Sequence, residues 1–165
     1  TETRRYVDAI AGTGVVLLDT RKTIPGLRAL SKYAVAMGGA KNHRERLDDG
    51  VLIKDNHIAV AGSVAKAIRL AQKAGLKCIE VECDTLEQVA EALDNGADRI
   101  LLDNMSNKSL SEAVKLSAGR TPLEASGGVS LKTVRAVAET GIDFISVGSI
   151  TQSARAVDIG LDLLS

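Results

Sequence analysis

Short apolar runs alternate with longer stretches of helical period along most of the chain. Runs rich in Val, Ile and Leu fall at residues 15–20 (VVLLDT), 51–56 (VLIKDN), 78–83 (CIEVEC), 99–104 (RILLDN), 122–126 (PLEAS) and 144–148 (FISVG). Their length and composition are those of strands. The intervals read as helices near 25–37, 63–74, 85–94, 108–117, 130–140 and 153–164, and another helix opens the chain at 2–11. Pro25 suits a first helical turn, and Ser63 and Asp84 suit N-caps. From the second strand onward the repeat is a little over 20 residues, the βα unit of a parallel sheet. No linker or low-complexity tract interrupts it, so residues 1–165 read as one α/β domain.

The two faces of each strand decide between an open sheet and a barrel. An open parallel sheet is covered on both faces and its strands are apolar nearly throughout. Here Glu80 and Glu82 share one face, against Ile79, Val81 and Cys83 on the other. Asp103 shares a face with Leu101, and Glu124 with Ser126. An oily outer face and a polar lumen fit a barrel. Six strands are fewer than the eight of a full one, so the expectation is an incomplete parallel α/β barrel of about six βα units.

Composition narrows the function. The 21 basic and 21 acidic residues cancel, and aromatics are 2% with no Trp. A nucleic-acid or anionic-membrane coat would be basic, so neither partner is expected. No apolar run reaches the length of a membrane span. Cys78 and Cys83 are the only cysteines and point to opposite faces, so no disulfide is expected. A reducing, cytoplasmic setting follows. The chain begins at Thr1 inside a helical pattern, as if an N-terminal portion had been removed.

In parallel barrels the active site lies where strands end and helices begin. Polar groups collect at those ends: Asp19 to Lys22, Lys54 to His57, Glu82, Asp103 with Asn104, Ser126 to Gly128, and Gly148 with Ser149. Any one of them can be a strand end meeting water. Gly127 and Gly128, followed by a helix near Ser130, make a phosphate loop or a simple tight turn. The long connection GGAKNHRERLDDG brings His43 and Arg44 beside Arg21, Lys22 and Lys54, a set of cations suited to an anion. Glu82 and Asp103 can hold Mg²⁺ through water, accept sugar hydroxyls, or form a salt-bridge network with Lys54. His57 reads equally as a capping residue. Zinc is disfavoured by the spacing of two His and two Cys.

LLDTRKTIPGLR, NHR, LIKDNHI, IEVE, LLDNM, ASGGV and VGSIT, in this order, resemble quinolinate phosphoribosyltransferase, over essentially the whole chain. The resemblance implies the transfer of phosphoribosyl from phosphoribosyl pyrophosphate to quinolinate with Mg²⁺. Nicotinate mononucleotide, CO₂ and pyrophosphate are the products, in NAD biosynthesis. It implies the family's incomplete barrel without its N-terminal α/β sandwich, in a homodimer or higher homo-oligomer. By motif, Arg21, Lys22, His43, Arg44 and Lys54 would grip the quinolinate carboxylates. Glu82 and Asp103 would meet the ribose and Mg²⁺, and Ser126, Gly127, Gly128, Gly148 and Ser149 the phosphates. Lys22, Lys54, Glu82 and Asp103 would be catalytic. Two departures stand out. The family draws an arginine from its N-terminal domain across the dimer, and Gln152 stands where a His is common. A related phosphoribosyltransferase with another anionic acceptor, a domain that binds or assembles without turnover, and another phosphate-binding barrel enzyme are the rival readings.

Overall fold

A computed structural model describes residues 1–163. The elements run α1 (Glu2–Ala9), β1 (Val16–Leu18), α2 (Arg28–Met37), β2 (Val51–Ile53), α3 (Asp55–Ala61), α4 (Val64–Lys73), β3 (Ile79–Cys83), α5 (Leu86–Asp94), β4 (Arg99–Asp103), α6 (Asn107–Ser117), β5 (Leu123–Ser126), α7 (Val134–Ala138), β6 (Phe144–Ser146) and α8 (Ser149–Gln152). The six strands form one parallel sheet in the order β1-β6-β5-β4-β3-β2. The first strand thus joins the last, and the ring is broken between β1 and β2.

The alternation of faces holds. Ile79, Val81, Cys83, Ile100, Leu102, Leu123, Ala125 and Ile145 point outward into one buried core with Ile68, Val89, Leu110 and Val134 from the helices. Each such buried aliphatic contributes roughly 1.5–3 kcal/mol of transfer free energy. Burial pushes the Cys83 thiol up to about 12. Cys78 is exposed, and both cysteines are free. Glu80, Arg99, Leu101, Glu124 and Phe144 face inward, placed side by side by register: Glu80 beside Arg99, Leu101 beside Glu124, Glu124 beside Phe144.

Helix starts follow local chemistry. Ser63 and Ser106 accept the N–H groups of Lys66 and Ser109, while Thr85, not Asp84, caps α5 in a reciprocal box with Gln88. Gly75, Gly96 and Gly141 end helices at positive φ.

Four expectations need correction. Residues 25–27 form a turn rather than the first turn of α2, which starts at Arg28; Leu27 N–H closes that turn on Ile24 O. The run at 51–56 is a strand only to Ile53, and the chain enters α3 at Asp55. The helix near 130–140 is confined to Val134–Ala138. Residues 153–163 form no helix; residue 164 lies outside the described residues. Val157, Ile159, Leu161 and Leu163 alternate with Asp158, Gly160 and Asp162 and are exposed. That period-two spacing gives no helical stripe to bury.

The break in the ring is occupied by the 41–50 connection. Lys41 forms a parallel bridge with Leu18, its N–H donating to Leu17 O at 2.9 Å. The following residues, His43 and Arg44, are thereby seated in the gap.

Candidate active site

At the C-terminal strand ends, a hollow of about 330 Å³ is lined by Arg21, Lys22, His43, Arg44, Lys54, Glu82, Asp103 and Ser126, together with Thr20, Leu52, Leu101, Glu124 and Ser146. The structure therefore brings together eight sequence-expected site residues from β1 round to β5. Gly127, Gly128, Gly148 and Ser149 lie beyond this lining, past the ends of β5 and β6. A larger hollow, about 970 Å³, opens at the opposite strand ends around Val51, Ile79 and Arg99. His43 and Arg44 line both and separate them.

The cations sit on a fixed frame. The loop after β1 is held by Thr20, whose Oγ1 accepts the Lys22 N–H at 3.1 Å. Thr151 donates its hydroxyl to Lys22 O at 2.6 Å, and Arg28 donates to Arg21 O at 3.2 Å. Arg21 Nε donates to Glu45 O at 3.3 Å, which ties this loop to the one crossing the gap. Arg44 Nη1 donates to Gly50 O at 2.7 Å. Burial and the neighbouring Arg21 charge lower the Arg44 pKa from its ordinary value. Among the described residues, none of Arg21, Lys22 and Arg44 is in an ion pair. All three line the same hollow.

Lys54 does have a partner, the Glu82 carboxylate. His57 accepts the Lys54 N–H on Nδ1 at 2.9 Å, and so caps α3 rather than facing the site. Asp103 accepts from Asn104 Nδ2 at 2.7 Å. Asn104 adopts φ 52 and donates its N–H to Ser126 O at 2.9 Å. That turn packs against Gly127, at φ +90, where a Cβ would stand 2.8 Å from the Asn104 backbone nitrogen. Only glycine fits there. The Ser149 hydroxyl is within 3.1 Å of the Tyr6 hydroxyl, which ties α8 to α1.

Beneath the rim lies a buried polar cluster whose role motif reading missed. Asp19, fully buried, accepts from Lys32 Nζ (2.6 Å), Asn42 Nδ2 (2.6 Å) and the His43 N–H (2.8 Å). Lys32 Nζ also donates to His43 O at 2.9 Å. Nothing in the spacing of Lys32 marked it as buried. Its partner Asp19 lies 13 residues earlier, and the signal that joins them is spatial.

His43 Nε2 lies 3.1 Å from Glu80 and 3.4 Å from Glu124, and Glu124 also meets Arg99 at 3.3 Å. Burial lowers the His43 pKa, but the two carboxylates outweigh it and draw it upward. These three side chains group their ligand-type atoms within 4.8 Å of one another. His43 Nδ1, however, accepts the Arg44 N–H at 2.8 Å. With its pKa raised to about 9, the ring keeps a proton on Nε2 at neutral pH, which leaves no lone pair there for a metal.

The fold is thus a broken parallel α/β barrel, with Arg21, Lys22, His43, Arg44 and Lys54 gathered around one hollow at its C-terminal strand ends. Nearly the whole chain also matches a known family. Residues 1–162 match the model described as quinolinate phosphoribosyl transferase, C-terminal domain, and the chain belongs to that family. It is 49% identical over 99% of its length to the nicotinate-nucleotide pyrophosphorylase (carboxylating) of Mycobacterium leprae, of which it covers 59%. It is 44% identical to the probable enzyme of that name from Bacillus subtilis, covering 99% of this chain and 57% of that one. Among solved structures, nicotinate-nucleotide pyrophosphorylase from Ehrlichia chaffeensis superimposes with a TM-score of 0.92 at 51% identity, over 97% of this chain and 59% of that one. The chain thus spans somewhat under three fifths of the length of these relatives. Among the described residues, no helix is long and apolar enough to cross a membrane.

Proposed function

We propose that this chain is the barrel part of a carboxylating nicotinate-nucleotide pyrophosphorylase acting in NAD biosynthesis, transferring phosphoribosyl from phosphoribosyl pyrophosphate to quinolinate. The observation that carries this reading is the set of unpaired cations, Arg21, Lys22 and Arg44, around one hollow with Lys54, Glu82 and Asp103. A pyridine dicarboxylate is a dianion, and planar guanidinium forks suit its carboxylates. The pyridine nitrogen attacks the anomeric carbon of the ribose as the bond to pyrophosphate breaks. The carboxyl group at C2 then leaves as CO₂, its electron pair stays at C2 beside the pyridinium, and a proton replaces it. Nicotinate mononucleotide, CO₂ and pyrophosphate result. Alignment and charge stabilisation supply the catalysis.

In this reading Lys22 and Lys54 stabilise developing negative charge, and Lys54 is steered by Glu82. Ser126 and the glycines at 127, 128 and 148 receive phosphate, with Ser149 beside them. Glu82 and Asp103 suit Mg²⁺, which is commonly held by one or two carboxylates plus water and substrate oxygens. The ion would neutralise pyrophosphate as it departs. A homodimer and a further N-terminal domain belong to the same proposal, as does a cytoplasmic setting.

A second reading is a barrel that binds phosphate ligands, or assembles, without turnover. Calorimetry with quinolinate and with phosphoribosyl pyrophosphate, followed by product mass in the presence of Mg²⁺, separates the two. Binding with formation of nicotinate mononucleotide and CO₂ is the expected result. Binding without product establishes the second reading, and absence of both refutes the proposal.

A further inference from the structure

We infer that Thr151 is a positioning residue, whose hydroxyl carries the hold of helix α8 to the backbone of Lys22 and so sets that cation at the acid site. The inference rests on the proposed acid-binding reading of the hollow. It adds a residue that belongs neither to the set of cations nor to the glycine loops.

Thr151 is buried and is not among the residues lining the hollow, so whatever it does there it does through another group. Its Oγ1 lies 2.6 Å from Lys22 O and 3.0 Å from Gly148 O. A hydroxyl has one proton to give. Gly148 O already accepts the N–H groups of Thr151 and Gln152, at 3.1 and 3.0 Å. Among the described residues no other group donates to Lys22 O. The shorter distance and the unmet acceptor both assign the proton to Lys22. The other side of that residue is held as well, because its N–H donates to Thr20 Oγ1 at 3.1 Å. Thr20 itself stands against the turn into α8, where a Cβ on Gly148 would lie 3.6 Å from its Oγ1. Both loops leave paired strands: Leu18 is in register with Ser146, and the Val147 N–H extends the ladder to Leu18 O at 3.0 Å. The start of α8 is fixed in turn by the Ser149 and Tyr6 hydroxyls. Lys22 is therefore clamped through its backbone by a frame built on β6, while its side chain stays exposed.

Paired substitutions isolate the hydroxyl. Thr151→Val keeps the branched shape and removes the donor, while Thr151→Ser and Thr151→Ala differ from each other by the oxygen alone. Quinolinate affinity is measured by calorimetry on the wild-type chain and on these variants, each also combined with Lys22→Ala, with circular dichroism checking every fold. Thr151→Val and Thr151→Ala are expected to bind about three- to tenfold more weakly, and Thr151→Ser to stay within about twofold of wild type. With Lys22→Ala the hydroxyl has no ammonium left to place, so adding Thr151→Val should change affinity by less than about twofold. A merely structural role would not show this dependence on the Lys22 side chain. If the loss in Thr151→Val persists undiminished in the Lys22→Ala chain, or if the Ser and Ala variants bind equally, the inference is overturned while the acid site stands. Should Thr151→Val fail to fold, the comparison of Ser with Ala decides alone. If the wild-type chain binds no quinolinate, the proposed function falls and this inference with it.

Discussion

The Lys32 ammonium lies 2.6 Å from the Asp19 carboxylate, with 2% and 0% of the two side chains exposed. This buried pair joins α2 to the end of β1 and holds His43 at its backbone. Removing one partner leaves a buried charge without compensation. Lys32→Met is expected to cost about 3–5 kcal/mol, read from urea unfolding. It should also weaken quinolinate binding in the fraction that remains folded, because the gap-crossing loop loses its anchor.

Lys22 has the opposite surroundings. Its side chain is exposed and its backbone is fixed from both sides by Thr20 and Thr151. Lys22→Ala should leave the melting temperature nearly unchanged, as surface substitutions do. Loss of one charge-assisted contact to a carboxylate should weaken quinolinate binding roughly 10- to 100-fold. Calorimetry that returned wild-type affinity would remove Lys22 from the site.

The paired glycines after β5 are not equivalent. A Cβ at Gly127 runs into Asn104, backbone included, whereas one at Gly128 meets nothing within 4 Å. Gly128→Ala therefore faces only its φ of +60, a strain of about 1–2 kcal/mol. Gly127→Ala should displace Asn104, and with it the Asp103 carboxylate that Asn104 orients. Phosphoribosyl pyrophosphate binding should suffer more from the first glycine than from the second.

Glu124 gives a pH signature. Burial raises its pKa, but the His43 hydrogen bond and charge, with Ser146 and Arg99, outweigh it and hold the carboxyl below its usual 4.5. A lowered folded pKa means a stabilising contribution present above 4.5 and lost as pH falls through the folded value. Glu124→Gln should cost about 1–3 kcal/mol at pH 7. The gap to wild type should narrow as unfolding is repeated below pH 4.5.

Much of this was legible in the chain. Alternating faces at Glu80, Glu82 and Glu124 gave the polar lumen, and the rim cations converge as their strand ends required. What escaped is what depends on distance in space. Lys32 sits one turn from Val35 on the buried side of α2, and only Asp19 explains a cation there. α3 was hidden because Lys54 to His57 is polar and reads as a strand running into a loop. The carboxylates that flank His43 were not legible either, since neither Glu80 nor Glu124 is near it in sequence. The alternation at 157–163 was read as helix because length and the preceding repeat favoured one.

The interrupted ring leaves β4 flanked on both sides by four-residue registers, while among the described residues β2 has a neighbour on one side only. Amide protons of β4 should therefore exchange with deuterium only through whole-molecule unfolding, and those along the unpaired edge of β2 through small local fluctuations. The rim cations are thus strung along the least cooperative border of the domain, where a loop, not a ladder, fixes the spacing between the first strand and the second.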